Sequence, residues 1–276
     1  MAITASDVNK LRQQTGAGMM DCKNALVEAD GDFEAAVDIL RKKGQKVAAK
    51  RGENEAAEGL VFAQTSADNK VGVLLTLNCE TDFVAKNDTY RNFVQSLVDI
   101  AMKNLPASSE ELKGLKYDDK LTVEEKITEQ VGVIGEKLDL SGYAVLKGDT
   151  VVAYNHPGNQ LATLVALNKG GETVAEAGRQ VAMQVAAMNP IALNKDGVDA
   201  RTIEREIEVG KELAIQEGKP AEMADKIAQG RLSKFFKENT LLSQEFIRDN
   251  KLTVEQFLDS TENGLTVTEF KRFSLS

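Results

Sequence analysis

The sequence has 276 residues, of which 42% are hydrophobic and 28% charged, and its net charge at pH 7 is −9. Single hydrophobic cores stop growing near this length, so a division into two or three modules is expected. A surface that binds nucleic-acid phosphates needs clustered Lys and Arg, so the acidic balance disfavours direct nucleic-acid binding and favours contact with another protein.

The first fifty or so residues predict three short helices separated by glycine breaks. Thr4 and Asp7 have the spacing of a capping box at the start of the first helix, and Gly16 to Gly18 ends it. Asp32 caps the third helix, and Gly44 is interpreted as its end. Apolar residues recur at offsets of three and four: Val8 and Leu11; Cys22, Ala25, Leu26 and Ala29; Phe33, Ala36, Val37 and Leu40.

A linker is predicted after these helices. Residues 46 to 58 are rich in Ala, Lys and Glu. The basic residues between Arg41 and Arg51 form only a short run, which is more typical of a solvated helix end than of a phosphate site.

A β-hairpin and two helices follow. Leu60–Thr65 and Val71–Asn78 are typical of strands, and an Asp-Asn pair between them favours a turn. From Tyr90 to Met102 apolar residues keep a period of three and four, which predicts a long amphipathic helix. Thr122 and Glu125 have the capping-box spacing at the start of another helix.

The same order of hairpin and helix then recurs. Tyr143–Leu146 and Val151–Tyr154 flank the turn pair Gly148-Asp149, and Leu161–Leu167 adds a third strand. Gly170-Gly171 precedes a helix with apolar residues from Val174 to Val185. We interpret this recurrence as a structural repeat of a sheet-plus-helix unit.

Residues 198 to 239 predict an antiparallel helical hairpin. Its turn is Glu217-Gly218-Lys219-Pro220, because Pro cannot continue a helix and Gly eases the reversal. The predicted inward-facing residues are Ile203, Ile207 and Leu213 on the first arm and Met223, Ile227 and Leu232 on the second. The chain closes with a short helix capped by Thr253 and a β-rich tail from Leu265 to Phe270. Separate runs of helices and antiparallel strands make α+β the predicted fold class.

No motif for covalent chemistry is found. His156 is the one histidine, no nucleophile-elbow sequence accompanies it, and a surface turn residue is its favoured interpretation. With Cys22 and Cys79 far apart, a zinc site is not expected. No phosphate-binding Gly-rich loop is complete, so neither nucleotide nor another cofactor is expected. An enzyme that uses a carboxylate pair stays an unsupported alternative.

The compartment is predicted to be the cytoplasm. The two cysteines lack a CxxC spacing, which favours reduced thiols. The first residues show no basic region followed by an apolar run, and no stretch approaches the ~18 apolar residues of a membrane span.

Two loops carry side chains that the helix and strand patterns do not explain. Met19-Met20 lies in a Gly-flanked loop, where these residues either fill core gaps or form a flexible binding surface. Asp82-Phe83 lies between a strand and the long amphipathic helix. Phe83 is either a core residue or a feature that a partner contacts.

Both loops lie in segments that resemble the elongation factor Ts family. Arg12 to Leu26, which reads RQQTGAGMMDCKNAL, is similar to the N-terminal signature of that family, and Asn78 to Asn87, NCETDFVAKN, is similar to the second signature. Weaker matches occur in the family's order, at residues 134–136, 154–156, 185–190 and 218–220. The resemblance covers nearly the whole chain.

The resemblance implies an organisation. Residues 1–54 would be a ubiquitin-associated-like three-helix module with its linker. The core would consist of two related antiparallel-sheet-plus-helix subdomains, 55–140 and 141–197 with 240–276. Residues 198–239 would be the protruding antiparallel helical hairpin.

The resemblance also implies a function, that of a nucleotide exchange factor for the GTPase elongation factor Tu, with no covalent catalysis. Arg12, Met19 and Met20 would dock on a helix of the GTPase domain, and Asp82 with Phe83 would wedge near its magnesium and phosphate site. Ile134, Gly135 and His156 match further interface positions. Family members often continue past the equivalents of Phe270–Phe273 into a further contacting helix, so a lower affinity is expected of a chain that ends at Ser276.

Two alternative functions remain compatible with the sequence. One is a scaffold or chaperone-like protein without exchange activity, and the other is a hydrolase that uses clustered carboxylates. A homodimer and a 2:2 complex with the partner are both compatible with the sequence.

Overall fold

The computed structural model describes residues 3–275. Met1, Ala2 and Ser276, at the ends of the predicted ranges 1–54 and 240–276, lie outside these residues. Helices and antiparallel sheets both occur, and the predicted α+β class is confirmed.

The secondary structure alternates between helical and β segments. The α-helices are α1 (Ala5–Thr15), α2 (Met19–Glu28), α3 (Phe33–Arg51), α4 (Asp82–Ala85), α5 (Asp88–Asn104), α6 (Ser109–Gly114), α7 (Val123–Ile134), α8 (Glu172–Met188), α9 (Ala200–Gln216), α10 (Ala221–Asn239) and α11 (Val254–Thr261). The strands are β1 (Glu58–Thr65), β2 (Val71–Cys79), β3 (Asp139–Lys147), β4 (Thr150–Asn155), β5 (Leu161–Leu167), β6 (Glu245–Phe246), β7 (Asp249–Thr253) and β8 (Val267–Ser274).

Two antiparallel three-stranded sheets pack face to face. The first has the strand order β1-β2-β3 and the second β4-β5-β8. The cluster between them contains side chains from both sheets: Val61, Ala63, Leu74, Leu146, Val151, Ala162, Leu164 and Ala166. The two inner faces therefore form one shared core.

Helices cover the outer face of each sheet. On the first sheet the covering residues come mainly from α5 and α7, and they include Tyr90, Val94, Leu97, Ile127 and Val131. On the second sheet they come mainly from α8 and α11, and they include Val174, Val181, Val185, Val254 and Leu258. Because both faces of β2 are covered, its residues from Gly72 to Cys79 are all buried.

The three N-terminal helices form a small cluster of their own. The predicted capping box is confirmed, since the Thr4 hydroxyl accepts the Asp7 N–H and the Asp7 carboxylate accepts the Thr4 N–H. Gly16 ends α1 with a φ of +73°, a left-handed conformation that glycine adopts at low cost. Leu11 and Leu26 are fully buried inside this cluster.

The expectation that Gly44 ends the third helix is wrong. Helix α3 continues to Arg51, through the first part of the predicted linker. Gly44 lies where α3 crosses α7: a β-carbon on Gly132 would be 2.4 Å from the α-carbon of Gly44. The missing side chains allow two helix backbones to touch, so Gly44 serves packing and not termination.

The expectation of a β3–β4 hairpin is also wrong. Strand β3 pairs with β2, while β4 pairs with β5. Gly148 and Asp149 connect the two sheets: the Gly148 N–H donates to Lys70 and the Asp149 N–H donates to Leu167. Alternating apolar residues identified both strands, but alternation does not say which strand each one pairs with. The relatedness of the two sheet-plus-helix units stays a prediction.

Helices α9 and α10 lie within the predicted hairpin segment and pack against each other, and their contact surface differs from the predicted one. Leu213 and Met223, expected to face inward, are exposed. The arms meet through small residues instead: a β-carbon on Gly210 would be 3.2 Å from the Ala228 α-carbon, and Ala214 and Ala224 are buried. Small residues let the backbones approach, which leaves Leu213 and Met223 outside. Leu232, also predicted to face inward, is buried.

Cys22 and Cys79 are buried and free, as expected from their separation. Among the helices described, none combines the length and the apolar character needed to cross a membrane.

Candidate functional site

The single helical turn α4 presents Phe83 to solvent. Thr81 caps the turn by accepting the Val84 N–H, and Ala85 is buried beneath it. Phe83 is 83% exposed, the highest value among the exposed large hydrophobic residues. The alternative that Phe83 is a core residue is therefore wrong, and an apolar ring in water is a feature that a partner would bury.

Asp82, the other predicted residue of this turn, is paired within it. Its carboxylate accepts a hydrogen bond from the Lys86 ammonium at 2.6 Å. This hydrogen bond lowers the pKa of Asp82 and raises the pKa of Lys86. The turn thus has a neutralised ion pair beside its exposed ring.

The strand that leads into the turn is held by buried polar groups. The Tyr90 hydroxyl donates to the Leu77 carbonyl at 2.6 Å, and the Cys79 thiol donates to the Thr81 carbonyl at 3.2 Å. Burial raises the pKa of Cys79 to about 11, so the thiol stays protonated and can donate. The buried Tyr90 and Cys79 side chains therefore fix the backbone of residues 77–81, which precede Phe83.

The end of α7 is held against the same segment. Gly135 ends α7 with a φ of +82°, and Ile134 packs partly buried against the core. Glu136 then accepts the Glu80 and Thr81 N–H groups at 3.1 and 3.0 Å and the Thr81 hydroxyl at 2.6 Å. The structure therefore brings Ile134 and Gly135 next to the turn that carries Asp82 and Phe83.

Glu80 forms a second carboxylate contact beside the turn. It accepts the Lys137 N–H at 2.6 Å and two contacts from Nη1 of Arg51, at 2.9 and 2.8 Å. The side-chain amide of Asn54 adds a donor at 3.0 Å. Arg51 is the last residue of α3, so this carboxylate joins the N-terminal helices to the turn.

We expect a pH-dependent contribution of Glu80 to stability. The Lys137 N–H and the Arg51 and Asn54 donors lower its pKa from 4.5 in the folded chain. Stabilisation by a carboxylate with a lowered pKa is present above its unfolded value and is lost as pH falls through the folded value. Urea unfolding of wild type and Glu80→Gln should differ most above pH 4.5 and converge as the pH falls through the lowered pKa of Glu80. A constant difference over that range would contradict this assignment.

Met19 and Met20 form the second exposed apolar feature. They are 57% and 64% exposed at the start of α2, so the core-filling alternative is wrong. Arg12 is exposed on α1. The segment before Met19 contacts α7, since a β-carbon on Gly16 would lie 3.6 Å from a methyl of Val133. The end of α7 therefore supports both the Met19-Met20 segment and the Phe83 turn.

His156 lies on a different turn, between β4 and β5. Its side-chain Nδ1 is 3.0 Å from the Tyr154 hydroxyl, and its backbone N–H donates to the Leu161 carbonyl. The side chain is exposed, which agrees with the interpretation as a surface turn residue. Asn155, next to it, exchanges two hydrogen bonds of 2.8 Å with the backbone of Ala63 and so fixes this turn on the free edge of β1.

Replacement of Asn155 by alanine should destabilise the fold by about 1–3 kcal/mol, because the buried N–H and C=O of Ala63 lose their partners. The exposed neighbour Gln160 provides the matched control, and Gln160→Ala should stay within about 0.5 kcal/mol of wild type. Urea unfolding measures both variants. Equal stability of Asn155→Ala and Gln160→Ala would contradict the role of the side chain as an edge partner.

Sequence reasoning missed the carboxylates that hold the site together. Glu80 and Glu136 both lie within the matching segments, but no pattern in those segments gives their contacts. The one signal in the sequence was their position, since Glu80 lies two residues before Asp82 and Glu136 directly follows Gly135. Within residues 3–275, no group of three His, Cys, Asp or Glu side chains lies close enough to hold a metal ion.

Comparison with known proteins gives a consistent match. The family model described as Elongation factor TS matches residues 80–276. The chain is 54% identical over 273 residues to an Elongation factor Ts from Amoebophilus asiaticus, an alignment that covers 99% of this chain and 98% of the relative. It is 54% identical over 275 residues to one from Cytophaga hutchinsonii, covering 99% of each, and 49% identical over 277 residues to one from Porphyromonas gingivalis, covering 100% and 99%.

Proposed function

The chain belongs to the elongation factor Ts family, and we propose that it is the nucleotide exchange factor of elongation factor Tu. Membership places it among translation elongation factors. The finer proposal is that it binds the GDP-bound GTPase, promotes release of GDP and magnesium, and holds the nucleotide-free GTPase until GTP binds. The free thiols and the role in translation support a cytoplasmic location.

The main observation in support of this proposal is the exposed ring of Phe83. The aromatic side chain projects from a turn whose flanking backbone is held by Glu136, Cys79 and Tyr90. Because the backbone is fixed before binding, little conformational entropy is lost when the ring enters a partner. Such a rigid apolar projection is suited to separating elements of the GTPase near its phosphate site.

We assign docking to two surfaces. The exposed Met19 and Met20, with Arg12, would contact a helix of the GTPase domain. Asp82 and Phe83, supported by Ile134 and Gly135, would enter near the magnesium ion. The proposed partner-contacting set is completed by His156 on the second sheet.

Exchange would follow from reciprocal coupling and requires no covalent step. If bound GDP weakens the affinity for this factor, the factor weakens the affinity for GDP by the same ratio. A shift of about 10⁴-fold needs about 5.5 kcal/mol of differential binding. Burial of one phenylalanine supplies roughly 1.5–3 kcal/mol. Displacement of the magnesium ion that neutralises the phosphates would supply much of the remainder.

Release of a fluorescent GDP analogue from elongation factor Tu tests the proposal. The protein is added at a small fraction of the GTPase concentration. Excess unlabelled GDP serves as the competitor that prevents rebinding of the labelled nucleotide. An exchange factor accelerates release of the entire bound pool, because each molecule acts repeatedly. Unchanged release, with a folded protein and a matched partner, would overturn the proposal and favour a scaffold that binds without exchange.

A further inference from the structure

The carboxylates of Glu80 and Glu136 hold each other's backbone. The Glu80 N–H donates to Glu136, and the Lys137 N–H, one residue beyond Glu136, donates to Glu80. Each carboxylate therefore closes a hydrogen bond onto the segment that carries the other. We call this reciprocal pair, with its donors Thr81 and Arg51, the carboxylate clasp.

The clasp joins three segments that are distant in sequence. Glu80 and Thr81 precede the Phe83 turn, and Glu136 and Lys137 follow the end of α7. Arg51 adds the end of α3 through its contacts of 2.9 and 2.8 Å with Glu80. The Lys137 ammonium reinforces this junction by donating to the carbonyls of residues 52 and 54, at 2.8 and 3.0 Å.

Hydrogen-bond donors surround both carboxylates. Glu136 accepts three hydrogen bonds from residues 80 and 81, and Glu80 accepts from Lys137, Arg51 and Asn54. Hydrogen bonds to ionised groups are about twice as strong as neutral ones. The side chain of Glu80 is only 16% exposed, which limits solvent screening of its contact with Arg51.

The Phe83 ring has no packing of its own to set its direction. At 83% exposure its position is determined by the backbone of residues 80–82 and by the anchoring of Val84 and Ala85. Glu80 and Glu136 are both partly exposed and lie outside the fully buried core. Loss of the clasp should therefore free the turn while leaving the packed layers in place.

We propose that Glu80 and Glu136 are positioning residues that fix the direction of Phe83, and that Arg51 connects this positioning to the N-terminal helices. The inference rests on the proposed exchange function. Glu80 and Glu136 would affect the rate of GDP release without touching the partner, because they act through the turn that carries Phe83.

The test uses the full chain with Glu136→Gln and Glu80→Gln. Asp139→Asn is the matched control, since Asp139 is exposed and lies three residues after Glu136, and its side chain makes no hydrogen bond or salt bridge within residues 3–275. Hydrogen exchange of the free proteins, followed residue by residue, reports the clasp without any partner. Protection of the Thr81 amide should fall at least about tenfold in Glu136→Gln, and that of the Lys137 amide in Glu80→Gln.

GDP release from elongation factor Tu is then measured over a range of factor concentrations. The maximal rate should fall at least about tenfold in both variants, because the ring no longer enters in the productive direction. The concentration for half-maximal rate should stay within about twofold, because the Met19-Met20 surface is unchanged. Asp139→Asn should match wild type in both quantities.

Three results for the variants would overturn the inference. Unchanged amide protection would show that the clasp is not formed in solution. Lower protection with an unchanged maximal rate would show that the clasp does not position Phe83. A rise in half-maximal concentration alone would indicate a docking role. If the wild-type protein itself fails to accelerate GDP release from the GTPase, the proposed exchange function is wrong, and the inference that rests on it is wrong as well.

Discussion

Phe83→Ala should lose most of the acceleration of GDP release while keeping the stability of the wild-type protein. The ring is 83% exposed, so its removal opens no cavity in the core. If the ring is buried in the complex, the loss of roughly 1.5–3 kcal/mol corresponds to a decrease of about 10- to 150-fold. Release kinetics of labelled GDP measure the first quantity, and thermal unfolding measures the second.

The control for this variant is another exposed apolar residue. Ile215, 56% exposed on the helical hairpin, lies on α9 and not on the Phe83 turn. Ile215→Ala should retain the wild-type rate and stability. A Phe83→Ala protein that unfolds several degrees below wild type would contradict the exposed position, and one that exchanges at full rate would remove Phe83 from the mechanism.

Gly132→Ala should destabilise the protein and weaken exchange together. A new β-carbon would be 2.4 Å from the α-carbon of Gly44, which is backbone and cannot turn aside. Overpacking of this kind costs about 1–3 kcal/mol, whereas alanine gains up to about 1 kcal/mol in helix propensity. The cost of overpacking should exceed the gain in helix propensity, with a net loss of about 1–2 kcal/mol in the free energy of urea unfolding.

The effect on exchange has a structural reason. Gly132 precedes Val133, which contacts the N-terminal helices, and Ile134 and Gly135, which support the Phe83 turn. A shift of α3 against α7 would misplace both docking surfaces. Gly230→Ala is the control, because a β-carbon there meets open space in α10, so equal or slightly higher stability is expected. If both variants behave alike, the crossing does not depend on glycine.

Local signals in the sequence correctly predicted helix boundaries near the candidate site. The Thr4 capping box and the break at Gly16 depend on neighbours only a few residues away. Phe83 was singled out because it fitted neither the strand before it nor the helix after it. Its exposure could not be predicted, since a loop phenylalanine between two rigid elements is equally compatible with a buried position.

The wrong predictions concern contacts between distant segments. Gly44 looks the same in sequence whether it ends a helix or allows another helix to approach, and only Gly132, far along the chain, decides between them. Leu213 and Met223 fitted a helical period, but Gly210 and Ala228 set the actual contact. Strand alternation gives the faces of β3 and β4 and leaves their partners undetermined.

The carboxylate clasp could not be predicted for a related reason. Glu80 and Glu136 are two of 43 acidic residues, and their charge alone resembles a solvated surface. Their function in the structure arises from backbone N–H groups that the fold turns toward them. A hydrogen-bond donor on the main chain has no sequence signature, so only the folded structure reveals such a contact.

The equilibrium affinity of the protein for nucleotide-free and GDP-bound elongation factor Tu, measured by titration under one set of conditions, tests the exchange mechanism most directly. Tighter binding to the nucleotide-free form is expected, by a factor on the order of 10⁴ if the full shift is realised. Saturating protein should then weaken GDP binding by the same factor. Equal affinity for the two forms would contradict the account, because a protein that does not distinguish them cannot shift the GTPase toward release.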